Sequence, residues 1–478
     1  MDGGGDDGED DGDGEDEHAG SGSGDGDGAR ALPPGRPRGE PLTIDFEGQA
    51  VRAFAGESVA VALHASGVRT LGRSSKYHRP RGLFCLEGHC ASCYLRIDGR
   101  PNLRACMTEA APGLRCERQN AFPSADVDLL TAADWLFPGG MDHHTLMTGT
   151  RLGNRLFLKL VRQMGGSGTL PDAGAAPAAT PPPEDVRADV CVVGGGPAGL
   201  TAAALLAAAP ARPRVLVVDE QAVPGGSLLA EAGGAARAAA LASEAAAAGA
   251  RLVARATALS FYPEDAGADG QPGLLAVAAA DRLLRVSARA YLYATGAYDQ
   301  NLTFADNDRP GIISARACGR LAFLHGVRPG RRVIVVAGAP YALRVAAALV
   351  EAGVATEVVD LARERPVGAR GVQAVRGLDL APAGAADGEA RGTRTVRGDV
   401  VAVGALPAPA SELPRQHGAA VVLDPALGGF AVRVDERARC APGAFACGDV
   451  VGYRGPDAAQ DSGRAAARSI LSVLFSKG

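Results

Sequence analysis

The sequence predicts a small α+β domain followed by a larger α/β unit that contains two parallel-sheet domains. Three observations in the 478-residue chain support this organisation. A hairpin pattern and a short helix precede four closely spaced cysteines within residues 41–120. A Pro/Ala/Gly-rich stretch, 166–184, separates that segment from the rest. From Asp185 onward, apolar strands alternate with Ala-rich helices, which is typical of a parallel sheet covered by helices.

The N-terminal segment is strongly acidic. Its first 30 residues hold twelve acids and one base, whereas the whole chain has a formal net charge of −5. Gly, Asp, Ser and Glu alternate there without an apolar face, so the segment cannot bury enough surface to fold. We predict a disordered acidic tail over residues 1–40.

Hydropathy and the N-terminus give expectations about location. The chain has no run of about 18 apolar residues, so we expect no membrane span. The N-terminus lacks the basic start and the apolar stretch of a secretory signal. We therefore expect a cytoplasmic protein with reduced thiols. We expect no nucleic-acid partner.

Four cysteines follow the pattern C-x4-C-x2-C-x12-C: Cys85, Cys90, Cys93 and Cys106. The first three lie in one loop, and a strand with a turn at Asp98-Gly99 returns the fourth. Plant-type ferredoxins hold a [2Fe–2S] cluster with this C-x4-C-x2-C loop and a distant fourth cysteine. A zinc site would more naturally show two C-x2-C pairs, and an empty loop is the remaining alternative. We predict a [2Fe–2S] ferredoxin-like domain over residues 41–120.

A glycine motif follows the linker. An apolar strand runs into Gly194-x-Gly196-x-x-Gly199 and then a helix, which is the context that a dinucleotide site requires. Gly194 permits a tight turn, Gly196 lets a pyrophosphate approach the backbone, and Gly199 lets the helix pack on the strand. Pro197 and Ala198 begin the helix whose N-terminus would face the phosphates.

Later segments extend this predicted site. The next strand ends in Asp219 and Glu220, and of these we favour Asp219 as the acceptor for the ribose hydroxyls. The segments YLYATGAYD and GAFACGDVVG are typical of FAD-binding domains. In such domains the aspartate of the second segment, here Asp449, meets the ribityl chain. The further expected contacts are Gly226, Thr295, Gly296, Gly448 and Asp449. We predict FAD at this site, with NAD as the alternative.

A second strand–turn–helix unit carries Ala337-x-Ala339-x-x-Ala342 in place of the three glycines. The extra methyl groups would crowd a pyrophosphate, so we favour a structural Rossmann-like domain over a nicotinamide-nucleotide site. The predicted division of the larger unit is a FAD-binding domain, 185–325 and 400–478, with an inserted domain, 326–399.

The segment 121–165 is predicted to be a helical connector before the linker, 166–184. It contains Trp135 and the basic amphipathic run RLGNRLFLKLVRQM, which either packs one domain on the other or docks a partner subunit. His143 and His144 are adjacent and point in different directions, which disfavours a shared metal ion.

Several segments resemble one protein family: RSSKYHRPRGLFC, QNAFPSADVD, VDEQAVPGGSL, ATGAYDQNLTFADNDRPGI and ACGDVVG. They are similar to the α subunit of heterotetrameric sarcosine oxidase and to α-type subunits of dye-linked proline, hydroxyproline and opine dehydrogenases and of hydrogen cyanide synthase. The resemblance implies a glutathione-reductase-like flavoprotein fold. It also implies that a separate D-amino-acid-oxidase-like flavoprotein β subunit oxidises a small-molecule amine or amino acid, while this chain relays the electrons.

The resemblance also implies roles by position. Gly194, Gly196, Gly199 and Asp219 would hold the adenosine diphosphate, and Asp449 would meet the ribityl group. The four motif cysteines match the ferredoxin-like module of the dehydrogenase members, which sarcosine oxidase α subunits usually lack. The resemblance therefore favours an electron-transferring dehydrogenase or oxidase.

Two alternatives stay open. One is a self-contained NAD(P)H-dependent flavin and iron–sulfur reductase, which would need nicotinamide binding at the turn 337–342. The other is a non-catalytic scaffold whose cofactors stabilise a complex. No general base stands out in the sequence, so no catalytic residue is assigned to this chain. Its substrate, final electron acceptor and subunit stoichiometry are not specified by these patterns.

Overall fold

The computed structural model describes residues 29–75, 77–132, 150–164, 170–172, 181–263, 273–385 and 392–475. The predicted acidic tail up to Gly28 lies outside these residues, as do Trp135, His143, His144 and most of the predicted linker.

The end of the predicted tail is folded, which corrects its expected boundary at residue 40. Arg30 is 5% exposed and pairs with Glu57 at 2.9 Å. Leu32 is buried, and its amide donates a hydrogen bond to the Gly326 carbonyl. Unlike the Gly/Asp repeats before it, this stretch offers apolar and cationic side chains that find partners in two domains.

The N-terminal domain is built on a five-stranded sheet in the order β2-β1-β7-β5-β6. Its elements are β1 (Pro41–Phe46), β2 (Gln49–Phe54), α1 (Val59–Ala65), β3 (Gly72–Arg73), β4 (Pro80–Arg81), β5 (Tyr94–Ile97), β6 (Arg100–Arg104) and β7 (Arg115–Glu117). The predicted hairpin pairs β1 with β2, and Ser58 caps α1 by accepting a hydrogen bond from the Val61 amide. Asp98 and Gly99 both have positive φ, as a two-residue hairpin turn requires, and this turn returns the chain toward Cys106.

The connector helix α2 (Arg151–Met164) follows. Its Leu152 and Leu156 side chains are exposed to solvent.

The first parallel-sheet domain begins with β8 (Glu184–Val193), α3 (Pro197–Ala207), β9 (Val215–Val218), α4 (Gly234–Ala247), β10 (Arg251–Val253), β11 (Thr257–Tyr262), β12 (Leu274–Ala278) and β13 (Leu283–Tyr293). Strands β10, β9, β8 and β13 are parallel, and β12 and β11 extend the sheet in antiparallel fashion. The central strands are buried on both faces, which explains their nearly continuous apolar sequence.

The second domain is formed by β14 (Ala297–Tyr298), β15 (Ile312–Ser314), α5 (Ala315–Gly319), β16 (Arg332–Ala337), α6 (Pro340–Glu351), β17 (Ala355–Asp360), β18 (Glu364–Gly371), β19 (Val375–Pro382), β20 (Arg394–Arg397), β21 (Val400–Gly404) and β22 (Ala408–Pro409). Its parallel sheet has the order β15-β21-β16-β17. The predicted limits 326–399 are therefore too narrow, because β15 and β21 are buried strands of this sheet. The antiparallel pair of β14 and β22 marks the passage between the two domains.

The chain then returns to the first domain through α7 (Glu412–Gln416), β23 (Val421–Asp424), β24 (Gly429–Val432), β25 (Arg439–Ala441), β26 (Ala444–Ala446) and α8 (Pro456–Phe475). Strand β26 pairs in parallel with β13, and α8 packs closely on α3 at Gly463, where a Cβ would lie 2.2 Å from the Ala198 carbonyl oxygen. This return brings Gly448 and Asp449 to the start of α3. No helix in the described ranges is both long and apolar enough to cross a membrane.

Candidate cofactor sites

The four motif cysteines come together in the N-terminal domain. Cys85, Cys90 and Cys93 lie in the loop between β4 and β5, and Cys106 follows β6. The Cys85 thiol contacts those of Cys106 and Cys90, and the Cys93 thiol contacts that of Cys106. These contacts lower the pKa of Cys85 and raise the pKa of Cys90 and of Cys106, because the thiols are close enough to share protons.

The arrangement of these thiols fits a two-iron cluster. The thiols form a row of pairwise contacts in the order Cys90, Cys85, Cys106, Cys93. In a [2Fe–2S] cluster each iron takes two cysteine thiolates, so the four residues fit that group.

The cysteine loop has an inner and an outer side. Cys85, Cys93 and Cys106 are buried, whereas Cys90 is half-buried. Cys90 lines a surface cavity of about 610 Å³ together with Arg73, Ser92 and other polar residues. The outer side of the cluster site therefore faces the protein surface.

The predicted glycine turn lies between β8 and α3. Gly194 has a φ of +107°, and a Cβ there would lie 2.2 Å from the Ala294 carbonyl oxygen. A Cβ on Gly199 would lie 1.9 Å from the Gly194 carbonyl oxygen, so this glycine is required for helix packing. Gly196 is the residue before the first turn of α3.

Two adjoining cavities of about 290 and 90 Å³ lie at this turn, and His89, Glu220 and Thr295 line both of them. The predicted contacts that line one or both are Gly194, Gly196, Pro197, Ala198, Asp219, Glu220, Gly226, Thr295, Gly296, Gly448 and Asp449. Gly199 is not among them, since it packs beneath the turn. The fold therefore gathers the predicted residues from widely separated segments around one site.

The two acids after β9 have different surroundings. Asp219 accepts hydrogen bonds from the Gly195 amide at 2.5 Å and from the Gln221 amide at 2.8 Å, one on each carboxylate oxygen. Burial raises the pKa of Asp219 to about 6. Asp219 lines the larger cavity, and Glu220 lines both cavities. Both acids therefore lie where a ribose acceptor is expected, and Asp219 also fixes the glycine turn.

A buried charge network borders the smaller cavity. The Arg316 guanidinium lies 3.7 Å from the Asp449 carboxylate and 3.5 Å from that of Asp299. It also lies over the rings of Tyr341 and Tyr453, at 5.2 and 5.5 Å from their centroids. Burial raises the pKa of Asp449 and of Asp299 to about 6 in each case.

The cysteine loop lies directly against the cavities. Glu87 is 7% exposed and forms a salt bridge with Arg320. His89 contacts Glu220 at 2.7 Å, and the Gln221 side chain donates a hydrogen bond to the Glu87 carbonyl at 3.0 Å. The predicted cluster and the predicted dinucleotide site thus share a wall.

Polar atoms at the cavity wall fit a polar dinucleotide. Among the described residues, Glu87 Oε2 and Arg316 Nη2 are buried without a hydrogen-bond partner. At the turn, Gly226 lies so close to Gly196 that a Cβ on Gly226 would lie 2.9 Å from the Gly196 Cα. Side chains at these glycines would fill the space that a pyrophosphate needs. The residues present therefore fit the predicted cofactor.

The second strand–turn–helix unit is packed differently. Ala337, Ala339 and Ala342 are all buried. The Tyr341 hydroxyl donates a hydrogen bond to the Ala405 carbonyl at 3.0 Å, and its ring is the one beneath Arg316. Protein side chains therefore occupy the start of α6.

Several residues around the site were missed by sequence reasoning: Glu87, His89, Asp299, Arg316 and Arg320. Arg316 and Arg320 carried a signal, because charged residues four apart in the apolar stretch GIISARACGRLAFL require buried partners. The loop residues gave none beyond their place between the cysteines.

Two family models match the chain. The 2Fe-2S iron-sulfur cluster binding domain matches residues 39–121, and the pyridine nucleotide-disulphide oxidoreductase model matches residues 188–376. They confirm the predicted fold class, a [2Fe–2S] domain followed by a glutathione-reductase-like unit, and they support a [2Fe–2S] cluster and FAD as cofactors.

Individual proteins show similarity of different extents. The sarcosine oxidase α subunit of Rhizobium meliloti (strain 1021) is 31% identical over 354 residues, which cover 69% of this chain and 35% of the relative. The chain thus spans about a third of that relative's length. Hydrogen cyanide synthase subunit HcnA of Pseudomonas aeruginosa is 44% identical over 79 residues, 16% of this chain and 75% of the relative. The structure of L-proline dehydrogenase from P. horikoshii shares the fold, with a TM-score of 0.70 at 21% identity, over 93% of this chain and 76% of that chain.

Proposed function

The chain belongs to the family of sarcosine-oxidase α-type redox subunits with a fused [2Fe–2S] domain, and on this premise we propose that it is the electron-transfer subunit of a hetero-oligomeric flavoenzyme. The observation that carries the proposal is the position of the cysteine loop. Its inner side forms a wall of the dinucleotide cavities, and its outer side at Cys90 faces the surface. A relay between an internal carrier and an external partner needs such a two-sided position.

When bound, the cluster exchanges single electrons and FAD exchanges two, so together they connect two-electron substrate oxidation to one-electron acceptors. Within this chain, Cys85, Cys90, Cys93 and Cys106 would ligate iron. The α3 N-terminus at Gly196 would face the pyrophosphate, and backbone amides there would donate hydrogen bonds to it.

The remaining cavity residues would orient the dinucleotide. Asp219 would accept the ribose hydroxyls, with Glu220 beside it in the cavity wall, and Asp449 would meet the ribityl chain. Arg316 holds Asp449 in place from the side of the second domain. Glu87 and the turn around Gly226 would keep water away from the space between the two cofactors.

We place substrate oxidation on a partner subunit. The donor would be a small secondary amine or amino acid, oxidised at its CH–NH bond by a D-amino-acid-oxidase-like flavoprotein. The similarity to a sarcosine oxidase α subunit supports this class of donor, since sarcosine is a secondary amine. The second strand–turn–helix unit would have a structural role, because Tyr341 fills the start of its helix.

The test is an anaerobic visible spectrum of the purified chain, with analysis of iron, acid-labile sulfide and released nucleotide. We expect two irons, two sulfides and one FAD per chain. NADH should leave the oxidised spectrum unchanged, since the packing around Tyr341 gives nicotinamide no place beside the flavin.

Three other outcomes would contradict the proposal in different ways. Bleaching by NADH would favour a self-contained reductase. Flavin or NAD without iron would mean that the cysteine loop has lost its cluster. Both cofactors bound but resistant to reduction by dithionite would favour a scaffold.

A further inference from the structure

The cysteine loop has a backbone conformation that needs external support. Leu86, Gly88 and Ala91 have φ values of +55°, +87° and +56°. For the two residues with a Cβ, this conformation costs energy and persists when the surroundings fix it. Thiolate–iron bonds would fix one side of the loop, and contacts with the flavoprotein unit fix the other.

A continuous series of contacts runs from the loop to the phosphate-binding turn. The Glu87 amide donates a hydrogen bond to the Cys85 sulfur at 3.4 Å, and the Glu87 carboxylate pairs with Arg320. The same Nη2 atom of Arg320 donates to the Gly226 carbonyl at 2.9 Å. Gly226 in turn abuts Gly196 at the turn.

Two parallel contacts reinforce this series. His89 contacts Glu220, which lines both cavities, and the Gln221 side chain donates to the Glu87 carbonyl. The cysteine loop therefore makes three contacts with the flavoprotein unit, to Arg320, Glu220 and Gln221. Withdrawal of this loop would leave the Arg320 side chain, which is 3% exposed, without its anionic partner.

We infer that the cysteine loop is itself a wall of the dinucleotide site, and that the Glu87–Arg320 salt bridge couples dinucleotide affinity to assembly of the iron–sulfur cluster. The inference rests on the proposed function, because it assumes that both cofactors bind this chain. Without iron the loop relaxes, Glu87 moves away from Arg320, and Arg320 no longer holds Gly226 at the turn. Linkage requires the reverse effect as well: bound dinucleotide must retain iron by the same factor.

The first measurement compares FAD binding by the full-length chain before and after anaerobic removal of iron with a chelator. Quenching of flavin fluorescence gives the dissociation constant in each state. We expect iron removal to weaken FAD binding about tenfold, within the usual range of coupling between two sites. Equal dissociation constants in the two states would overturn the inference.

The second measurement assigns the coupling to one contact. Glu87→Gln should weaken FAD binding in the iron-loaded chain and remove most of the further loss on chelation. The matched control is Glu109→Gln, since Glu109 pairs with Arg255 at 2.7 Å and links the N-terminal domain to the flavoprotein unit at another place. The control should keep the tenfold effect of iron removal; loss of that effect in both variants would point to general domain docking and contradict the role of Glu87.

The proposed function and the coupling between the two cofactor sites are disproved by different results. If neither FAD nor NAD binds the iron-loaded chain, the proposed function fails. If FAD binds equally with and without iron, the coupling alone fails. Iron removal in the wild-type chain needs no substitution, so the test holds even if Glu87→Gln does not fold.

Discussion

The two strand–turn–helix units of the larger part of the chain have the same local plan and opposite packing. Each joins a buried parallel strand to a helix that begins with proline, Pro197 in the first and Pro340 in the second. In the first unit, an ideal Cβ on Gly196 would meet its nearest atom, the Gly226 Cα, at 3.8 Å, which leaves space. In the second, Ala339 is buried and Tyr341 follows the proline, where the first unit has the small Ala198.

The glycine that permits close packing of the helix on the sheet lies on the helix in one unit and on the neighbouring strand in the other. In the first it lies on the helix, Gly199, opposite Ala294 after the neighbouring strand. In the second the helix carries Ala342, and the glycine is Gly404 on the neighbouring strand, where a Cβ would lie 2.2 Å from the Ala342 Cβ. Both arrangements allow the helix to approach the sheet, but the first also keeps the turn free of methyl groups. Loss of the three glycines thus removes a phosphate site without removing the fold.

The largest effect is expected for Gly199→Ala. The new methyl group would overlap the Gly194 carbonyl oxygen, which belongs to the backbone and cannot rotate away. We expect a loss of at least about 3 kcal/mol in the free energy of unfolding, measured by denaturant titration. A variant as stable as the wild type would show that α3 can shift, and the asserted need for glycine at this position would be wrong.

Gly404→Ala tests the reciprocal arrangement. We expect destabilisation of about 2–3 kcal/mol, because two Cβ atoms would overlap. Ala342→Gly should rescue part of this loss in the double variant, although glycine in a helix costs up to about 1 kcal/mol by itself. A double variant as unstable as the sum of the two single ones would mean that these residues do not oppose each other.

Buried carboxyl groups lie beside the first unit. For one of them, Asp449, the free-energy cost of burying a charged carboxylate can be measured. The pKa of Asp449 in the folded chain is about 6, above the ordinary aspartate value of 3.8, because the carboxyl group is buried. Between these two values the folded state therefore binds more protons than the unfolded state. Stability from this group is present below the lower value and is lost as the pH rises through about 6. In the cofactor-free chain, Asp449→Asn should gain about 2 kcal/mol relative to the wild type between pH 4 and pH 7.

Denaturant titrations at the two pH values give this difference. The exposed Asp457, changed to Asn, is the control and should show no comparable change. A pH-independent difference between Asp449→Asn and the wild type would contradict the raised pKa.

How far the site follows from the sequence depends on where its residues lie along the chain. The cysteine spacing and the Gly194–Gly199 motif each concentrate their chemistry in a short segment, so the pattern was sufficient to predict a cluster and a dinucleotide. The sequence placed Asp219 and Glu220 at the predicted site, but the hydrogen bond that Asp219 accepts from the Gly195 amide depends on the folded turn and was not predicted. The contact of His89 with Glu220 joins residues 131 positions apart, and no local pattern predicts it.

The fold shows the same contrast between features set by neighbouring residues, which were predicted, and features set by distant contacts, which were not. The hairpin turn at Asp98-Gly99 depends on neighbouring residues and was predicted correctly. Strand β21 was assigned to the wrong domain because VVAVG is an apolar run that suits either parallel sheet. Its pairing with β16, which follows from packing rather than propensity, decides the boundary.

The smallest and most selective effect is expected at the turn itself. Gly196→Ala places one methyl group in ordinary van der Waals contact with the Gly226 Cα at 3.8 Å, so the free energy of unfolding of the cofactor-free chain should change by less than about 1 kcal/mol. The same methyl group would stand where the pyrophosphate approaches, and FAD binding should weaken about tenfold, or about 1.4 kcal/mol. Ala339→Gly is the matched change in the second unit and should leave FAD binding unaltered and create no NADH binding. Flavin fluorescence titration measures the FAD affinity of both variants. Equal FAD affinity in Gly196→Ala and Ala339→Gly would contradict the functional difference between the two turns that their packing implies.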